Sequence, residues 1–180
     1  MSNLTVVNVV GGGNIRRGLD LRTVYEDFPG NNLQYDPEVF SALVISYESP
    51  KATIMLYSSG KYSLAGAKNK TNAIEASQKF ESDIKSMLCK SLSDTSFEIR
   101  YLVCTGNLGR PINLNKTTIL FGSENTEYEP EQFPGLFYRP EDEDWFSIIF
   151  ASGKIVLDGT ADVEELERAF QRIKTKLDSD

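Results

Sequence analysis

The sequence predicts an α+β fold in which one unit of about ninety residues occurs twice, and the two copies form one curved antiparallel sheet. The first observation is a repeat. Shifted by 93 residues, the motif Tyr-Asp-Pro-Glu-Val-Phe at 35–40 falls on Tyr-Glu-Pro-Glu-Gln-Phe at 128–133. The same shift aligns the two halves without a gap and leaves about twenty positions identical. Finally, both halves show the same order of strand-like and helix-like segments.

Each half opens with a strand and a short helix. Residues 6–10 and 99–103 are short β-branched runs, which are typical of strands. Apolar residues at helical spacing follow at 19–25 and 112–120, after Gly, Asn, Arg and Pro residues that interrupt regular structure. These segments predict the first two elements of each copy.

Further strands and a longer helix complete each half. Gly60 and Gly153 mark tight turns, where the backbone has a positive φ that only glycine adopts at low energetic cost. The closing helices are predicted at 71–88 and 163–177, each with apolar residues on one face. The strands are predicted at 42–47, 53–57 and 62–65 in the first half and at 136–139, 145–150 and 155–158 in the second.

The predicted order is therefore β-α-β-β-β-β-α, twice, with repeats at 1–90 and 91–180. Half of such a sheet has a weak core, so we expect the halves to join about a pseudo-twofold axis. That arrangement is a saddle of about ten strands, with helices on the convex face. Its concave face is left bare and predicts a binding surface.

Composition restricts the functions that this surface can have. The 180 residues include no histidine, which excludes the common His-dependent catalytic sites and most zinc sites. Cys89 and Cys104 match no metal or redox motif. We therefore expect no enzymatic activity, no cofactor and no metal.

No apolar run approaches the roughly eighteen residues that span a membrane. The net charge of −7 is unfavourable for a nucleic-acid partner.

Specific motifs nevertheless occur along essentially the whole chain. The second half carries Tyr-Glu-Pro-Glu-Gln-Phe-Pro-Gly-Leu-Phe-Tyr-Arg at 128–139 followed by Ile-Phe-Ala-Ser-Gly-Lys-Ile-Val-Leu at 149–157. The first half has aligned, weaker motifs at 35–40 and 56–61. Together these motifs resemble the TATA-box-binding protein family, and the stretch at 106–115 is similar to archaeal members in particular.

The resemblance implies a fold and a function. The family's saddle lies in a widened minor groove, where two pairs of phenylalanines kink the duplex by about 80°. The resemblance implies a general initiation factor that binds double-stranded promoter DNA and a transcription-factor-B-class protein. Through that protein it would contact the RNA polymerase machinery. Glu129, Glu131 and Gln132 match the family's corner for that partner. The expected location is the cytoplasm if the protein is archaeal, or the nucleus if it is eukaryotic, and not outside the cell.

The family's DNA contacts carry over unevenly between the halves. In the second half Tyr101 replaces a minor-groove asparagine, Asp158 replaces a threonine, and an acidic run fills 141–144. In the first half Tyr57 replaces a wedge phenylalanine. The candidate DNA-binding residues are Asn8, Val10, Phe40, Leu43, Lys51, Tyr57, Lys61, Ser63, Ala65 and Lys68, and then Tyr101, Val103, Phe133, Leu136, Arg139, Phe150, Lys154, Val156 and Asp158.

Other interpretations stay open at this point. The chain could be a regulatory paralogue with weakened DNA binding that acts mainly through protein contacts. Phe133 and Phe150 could be core residues, the acidic run could be a solvated hairpin tip, and Asp158 could pair with Lys154 or Lys61. An apolar concave face could also hold a second copy of the chain.

Overall fold

The computed structural model describes residues 4–30, 32–88 and 95–179. The predicted boundary at 90/91 and Cys89 lie outside the described residues. Contacts divide the chain into two compact units, here called the first unit, Asn8–Arg100, and the second unit, Met1–Val7 with Tyr101–Asp180.

The first unit follows the predicted order of elements. The elements are β1 (Thr5–Asn14), α1 (Leu21–Asp27), β2 (Leu33–Gln34), β3 (Leu43–Glu48), β4 (Lys51–Leu56), β5 (Lys61–Ala67) and α2 (Lys70–Leu88). Its strands lie in the order β2-β3-β4-β5-β1, and neighbouring strands are antiparallel.

The second unit repeats that order. The elements are β6 (Ser96–Asn107), α3 (Leu114–Phe121), β7 (Thr126–Glu127), β8 (Gly135–Tyr138), β9 (Phe146–Phe150), β10 (Lys154–Asp158) and α4 (Val163–Asp178). Its strands lie in the order β6-β10-β9-β8-β7, again antiparallel. The α+β class predicted from the sequence is confirmed, and the units together supply the ten predicted strands.

The helices cover one face of each half-sheet. In the first unit, the Tyr62 ring packs edge-on against Phe80 of α2, with centroids 4.8 Å apart. In the second, α4 buries Leu166, Phe170 and Ile173. Helix α4 also has favourable ends, because the Asp162 carboxylate accepts from the Glu164 N–H at 2.9 Å and Lys176 lies in the last turn. Among the described residues, no helix is both long and apolar enough to cross a membrane.

The two short helices begin later than the sequence pattern indicates. Helix α1 starts after Asp20, whose carboxylate accepts from the Arg22 N–H at 2.9 Å. Helix α3 starts after Asn113, whose side chain accepts from the Lys116 N–H at 3.1 Å. Both residues are helix caps, so the apolar residues before them lie in extended chain.

The first strand of the first unit is longer than predicted. It runs through three consecutive glycines to Asn14, although glycine has a low strand propensity. Packing requires them: a Cβ on Gly11 would lie 2.5 Å from the Phe97 ring, and one on Gly13 would lie 2.3 Å from the Tyr62 ring. Tertiary contacts therefore override the local preference.

The Ser-Gly-Lys turn is built in the same way in both units. Gly60 has a φ of 84° and Gly153 a φ of 86°, which confirms the predicted positive φ. A Cβ on Gly60 would lie 2.2 Å from the Arg17 carbonyl oxygen, and one on Gly153 would lie 2.1 Å from that of Arg110. Backbone conformation and close approach both require glycine here.

Candidate nucleic-acid interface

Each half-sheet has a second face that its own helices leave uncovered. Residues paired across antiparallel strands share a face, so the registers of Thr53 with Ala65 and of Val156 with Ile148 define it. These side chains are half-buried, whereas their neighbours along each strand are buried towards the helices. The first open face comprises Asn8, Val10, Val44, Ser46, Thr53, Met55, Tyr57, Ser63 and Ala65, and the second open face comprises Tyr101, Val103, Thr105, Phe137, Phe146, Ile148, Phe150, Val156 and Asp158.

The first open face has an amide whose orientation is fixed. The side-chain oxygen of Asn8 accepts a hydrogen bond from the Gly66 N–H at 2.7 Å. Gly66 has a φ of 89°, and its N–H lies beyond the regular β1–β5 pairing, which shifts between Val9 and Gly11. Because the oxygen is occupied, the NH₂ group of Asn8 remains as a donor on the open face.

Cations and an exposed aromatic ring flank the first open face. The Phe40 side chain is 43% exposed, which is unusual for so large an apolar residue. The side chains of Lys51, Lys61 and Lys68 are exposed, and no described carboxylate lies within 4.0 Å of their amino groups. These lysines are therefore available to an anionic partner.

The second open face is aromatic. Phe133 is 37% exposed, and its ring centroid lies 6.0 Å from that of Phe150 and 5.2 Å from that of Phe137. Gly135 makes room for this cluster, since a Cβ there would lie 2.6 Å from Ile148 and 2.7 Å from the Phe133 ring. The rings of Phe133 and Phe150 thus contact each other and are not part of the helix-covered core.

Arg139 and Lys154 supply positive charge to the second unit. The Arg139 guanidinium lies 4.8 Å from the centroid of the Phe146 ring, within the range of a cation–π contact. Lys154 is exposed at the start of β10 and has no carboxylate within 4.0 Å among the described residues. Both cations remain solvent-accessible.

Asp158 places a negative charge on the second open face. Its Oδ1 accepts a hydrogen bond from the Gly159 N–H at 2.5 Å. Burial raises the pKa of Asp158, and the Gly159 hydrogen bond opposes that shift. The carboxylate forms no ion pair with Lys154, Lys61 or any other described cation, so the suggested structural pair is wrong.

Gly66 and Gly159 are equivalent residues whose N–H groups are satisfied differently. Asn8 caps Gly66 from the neighbouring strand, whereas Gly159 is capped by the carboxylate that precedes it. The residue equivalent to Asn8 is Tyr101, whose hydroxyl has no hydrogen-bond partner in the described part of the chain. The second open face therefore presents a carboxylate where the first presents an amide donor.

Comparison with known proteins identifies the family. The sequence profile of the family described as transcription factor TFIID, or TATA-binding protein, matches residues 3–87 and again residues 96–179. The chain belongs to the TATA-binding protein family. The resemblance inferred from the motifs is thereby confirmed.

Archaeal members of the TATA-binding protein family match along the whole chain. The TATA-box-binding protein E of Halobacterium salinarum is 35% identical over 175 residues, which cover 97% of this chain and 93% of that protein. The TATA-box-binding protein of Sulfurisphaera tokodaii is 35% identical over 174 residues, 97% of this chain and 86% of its own. The solved structure of Methanococcus jannaschii TBP aligns with a TM-score of 0.82 at 34% identity and covers 99% of both chains.

Two of the residues predicted to contact DNA lie away from both open faces. Leu43 and Leu136 have no exposed surface, and they pair with Leu56 and Ile149, which also face the helices. Their place in the core rules out direct contact with a ligand on either open face. Met55 and Ile148, which are equivalent residues, occupy the open faces and were missed. The alternation of buried residues along β4 and β9 is the signal that identifies them.

The acidic run at 141–144 is partly structural in this member of the TATA-binding protein family. The Glu143 carboxylate accepts from the Trp145 indole N–H at 3.1 Å and from Arg172 of α4. Glu143 therefore ties the β8–β9 turn to the helix. Asp142 and Asp144 are exposed.

The predicted partner corner is a solvent-exposed turn before β8. The Gln132 side chain donates to the Glu129 carboxylate, and the Phe133 N–H donates to the Glu129 carbonyl at 2.9 Å. Glu131 is exposed. The turn thus holds two carboxylates and the exposed Phe133 in one short segment.

Proposed function

We propose that the chain binds TATA-type promoter DNA in the minor groove, with each open face taking one half of the element, and bends it. One observation carries the proposal: both units leave a half-sheet face uncovered and place a large exposed phenylalanine, Phe40 or Phe133, at its end. A widened minor groove is a surface against which such a face can be buried.

The aromatic pairs supply the means of bending. A wedge between base steps must replace lost stacking, which costs about a few kcal/mol per step. The mutually contacting rings of Phe133 and Phe150 provide a large apolar surface for this purpose. In the first unit the equivalent residues are Phe40 and Tyr57, and Tyr57 adds a hydroxyl that needs a partner when buried.

The remaining contacts divide into readout and positioning. The NH₂ group of Asn8 is a donor, and A·T pairs present only acceptors in the minor groove. Val10, Ser63 and Ala65 on the first open face, and Val103 and Val156 on the second, supply small, uncharged contact area. Cations at Lys51, Lys61, Lys68, Arg139 and Lys154 are available to phosphates, which would fix register and orientation without reading sequence.

We assign the turn bearing Glu129, Glu131 and Gln132 to a transcription-factor-B-class partner, and through it to the RNA polymerase machinery. Its exposure and its two carboxylates fit a basic partner surface.

Because the relatives are archaeal, we place the protein in the cytoplasm with the DNA. We expect no enzymatic activity from it. Free of DNA, the apolar second open face offers contact area to a second copy of the chain.

An alternative is favoured by the charge of the second unit. Asp158 and the exposed acids at 142 and 144 oppose a phosphate backbone, so DNA binding by this unit would be weakened. In that case the chain is a regulatory paralogue that acts mainly through contacts with the initiation machinery. This alternative predicts partner binding that persists without DNA.

The test is DNA bending measured by fluorescence transfer between dyes at the two ends of a TATA duplex, over a salt series. We expect a saturable change in end-to-end distance. We also expect the affinity to fall as salt is raised, with the steepness that corresponds to about five phosphate contacts. Phe133→Ala should abolish most of the bend, whereas Ile119→Ala, an exposed residue of α3, should leave it unchanged.

The same measurement with an added transcription-factor-B-class protein, here called factor B, separates the two functions. Bending that appears only with factor B supports the regulatory alternative. If the protein bends no duplex under any condition, with or without factor B, promoter binding by this chain is wrong.

A further inference from the structure

We infer that the second unit recognises guanine: the Asp158 carboxylate accepts a hydrogen bond from the guanine 2-amino group in the minor groove of its half of the element. This inference rests on the proposed binding of minor-groove DNA. It makes Asp158 a specificity-determining residue, and it makes the preferred element chemically asymmetric.

The position of Asp158 places it where a base edge would lie. On β10 it pairs with Phe146 of β9 and follows Val156 by two residues, so it lies on the second open face. The residue is half-buried. A duplex that covers Phe146 and Val156 would therefore cover Asp158 as well.

The hydrogen bond to Gly159 does not account for a charged residue at this position. Oδ1 accepts from the Gly159 N–H, and an asparagine oxygen would accept the same hydrogen bond. The equivalent N–H in the first unit is in fact capped by the amide of Asn8. The cap leaves Oδ2 without a described donor, and no described cation lies within 4.0 Å of the carboxylate.

Base chemistry then determines which pair can satisfy that oxygen. In the minor groove A·T and T·A pairs present only acceptors, whereas a G·C pair adds one donor, the guanine 2-amino group. Against an A·T pair the buried carboxylate would face an acceptor and remain unpaired, which is costly. Against guanine it would form a charge-assisted hydrogen bond.

The opposite preference is expected in the first unit. The Asn8 NH₂ group is a donor, so it favours the acceptors of an A·T pair and conflicts with the guanine amino group. Tyr101, which replaces that asparagine in the second unit, removes the donor there. The two halves would thus favour opposite bases at equivalent positions of the element.

The experiment measures affinity by fluorescence anisotropy at fixed salt for duplexes in which each base pair of a TATA element is replaced in turn. Three replacements separate the minor-groove amino group from all other features. G·C carries it, inosine·C lacks it but keeps the major-groove edge of G·C, and 2,6-diaminopurine·T adds it to an A·T pair.

At one position in one half of the element, we expect G·C and diaminopurine·T to bind about tenfold more tightly than inosine·C and A·T. In the other half, the pairs with an amino group should bind less tightly. Asp158→Asn keeps the Gly159 cap and should remove the preference for the amino group. Asp142→Asn, an exposed carboxylate in the same unit, makes the same charge change and should retain it.

Each outcome decides a different claim. An amino-group preference that is lost in Asp158→Asn but retained in Asp142→Asn supports the inference. Saturable binding in which every amino-bearing pair is equally unfavourable, in wild type and in Asp158→Asn, overturns the inference and leaves the proposed function standing. Absence of saturable binding to every duplex overturns both.

Discussion

The two open faces are equivalent in backbone and different in chemistry. The first has smaller side chains at three places: Ser46, Thr53 and Ser63 have Arg139, Phe146 and Val156 as their equivalents in the second unit. In the second, Phe133 contacts both Phe137 and Phe150 at one end, whereas the described ring contacts of the first unit include neither Phe40 nor Tyr57. A duplicated fold therefore does not imply a duplicated binding site.

Among the positions that stayed identical, the turn glycines are dictated by the backbone. Gly60 and Gly153 are required by a positive φ and by a carbonyl oxygen within 2.2 Å of a Cβ in each case. Open-face residues carry no such requirement, because their outer side faces no part of their own unit. Substitutions at open-face positions can therefore change binding without a clash of this kind.

The largest expected effect is on stability, at the Ser-Gly-Lys turn that both units share. Gly153→Ala forces a Cβ to within 2.1 Å of the Arg110 carbonyl oxygen at a φ of 86°, and should lower the free energy of unfolding by about 3 kcal/mol. Urea denaturation measures it. Gly109→Ala is the matched control, since Gly109 has a φ of 74° and nothing within 4 Å of its Cβ position. Equal losses in the two variants would show that the close approach contributes nothing.

The next effect concerns the aromatic cluster that distinguishes the second unit. Gly135→Ala places a methyl group 2.6 Å from Ile148 and 2.7 Å from the Phe133 ring, so the wedge must shift. We expect about 2 kcal/mol of destabilisation and a smaller DNA bend. Denaturation and fluorescence transfer measure the two effects. The first unit has Ala42 at the equivalent place, and Ala42→Gly should leave the bend angle unchanged. A normal bend in Gly135→Ala would show that the ring positions are not set by this glycine.

A smaller effect tests whether the two ways of capping an N–H are interchangeable. Asp158→Ala removes the acceptor of the Gly159 N–H and should cost about 1 kcal/mol of stability. Adding Tyr101→Asn recreates the arrangement of Asn8 and Ala65 and should recover most of that loss. A double-mutant cycle by urea denaturation gives the coupling between the two sites. Strictly additive effects would contradict the equivalence of the two caps.

The smallest effect lies in the core of the second unit. The Ser147 hydroxyl is fully buried and has no hydrogen-bond partner in the described structure, whereas the equivalent residue of the first unit is Ile54. Ser147→Ala should raise the free energy of unfolding by roughly 0.5–1 kcal/mol, because an unsatisfied polar group is removed. A thermal-melt series would show it as a small rise in Tm, and a fall in Tm would indicate a partner for the hydroxyl.

Much of the fold was predictable because it depends on local signals. The repeat, the turn glycines and the longer closing helices follow from residue type and spacing, and their observed bounds differ little from those predicted. The short helices were displaced because the caps at Asp20 and Asn113 are polar residues within an apolar pattern. The bounds of the two-residue strands β2 and β7 received no prediction, since only backbone pairing defines these strands.

The candidate site was harder to predict because it depends on which face each side chain occupies. Leu43 and Leu136 align with the motifs and yet lie in the core, whereas Met55 and Ile148 lie on the open faces. The cap on Gly66 joins residues 58 positions apart in the chain, and no local pattern indicates it. The replacement at Asp158 was visible in the sequence, but its hydrogen bond with the Gly159 N–H was not.

The hydrogen bond between Asn8 and Gly66 has an entropic consequence for recognition. An exposed asparagine ordinarily samples several rotamers, and fixing such a side chain at an interface costs about 0.5–1.5 kcal/mol. The Asn8 amide is already held by a backbone N–H at 2.7 Å, so that ordering precedes the encounter with a ligand. Preorganisation of this kind reduces the loss of conformational freedom on binding, and it is built into the first unit by a single backbone contact.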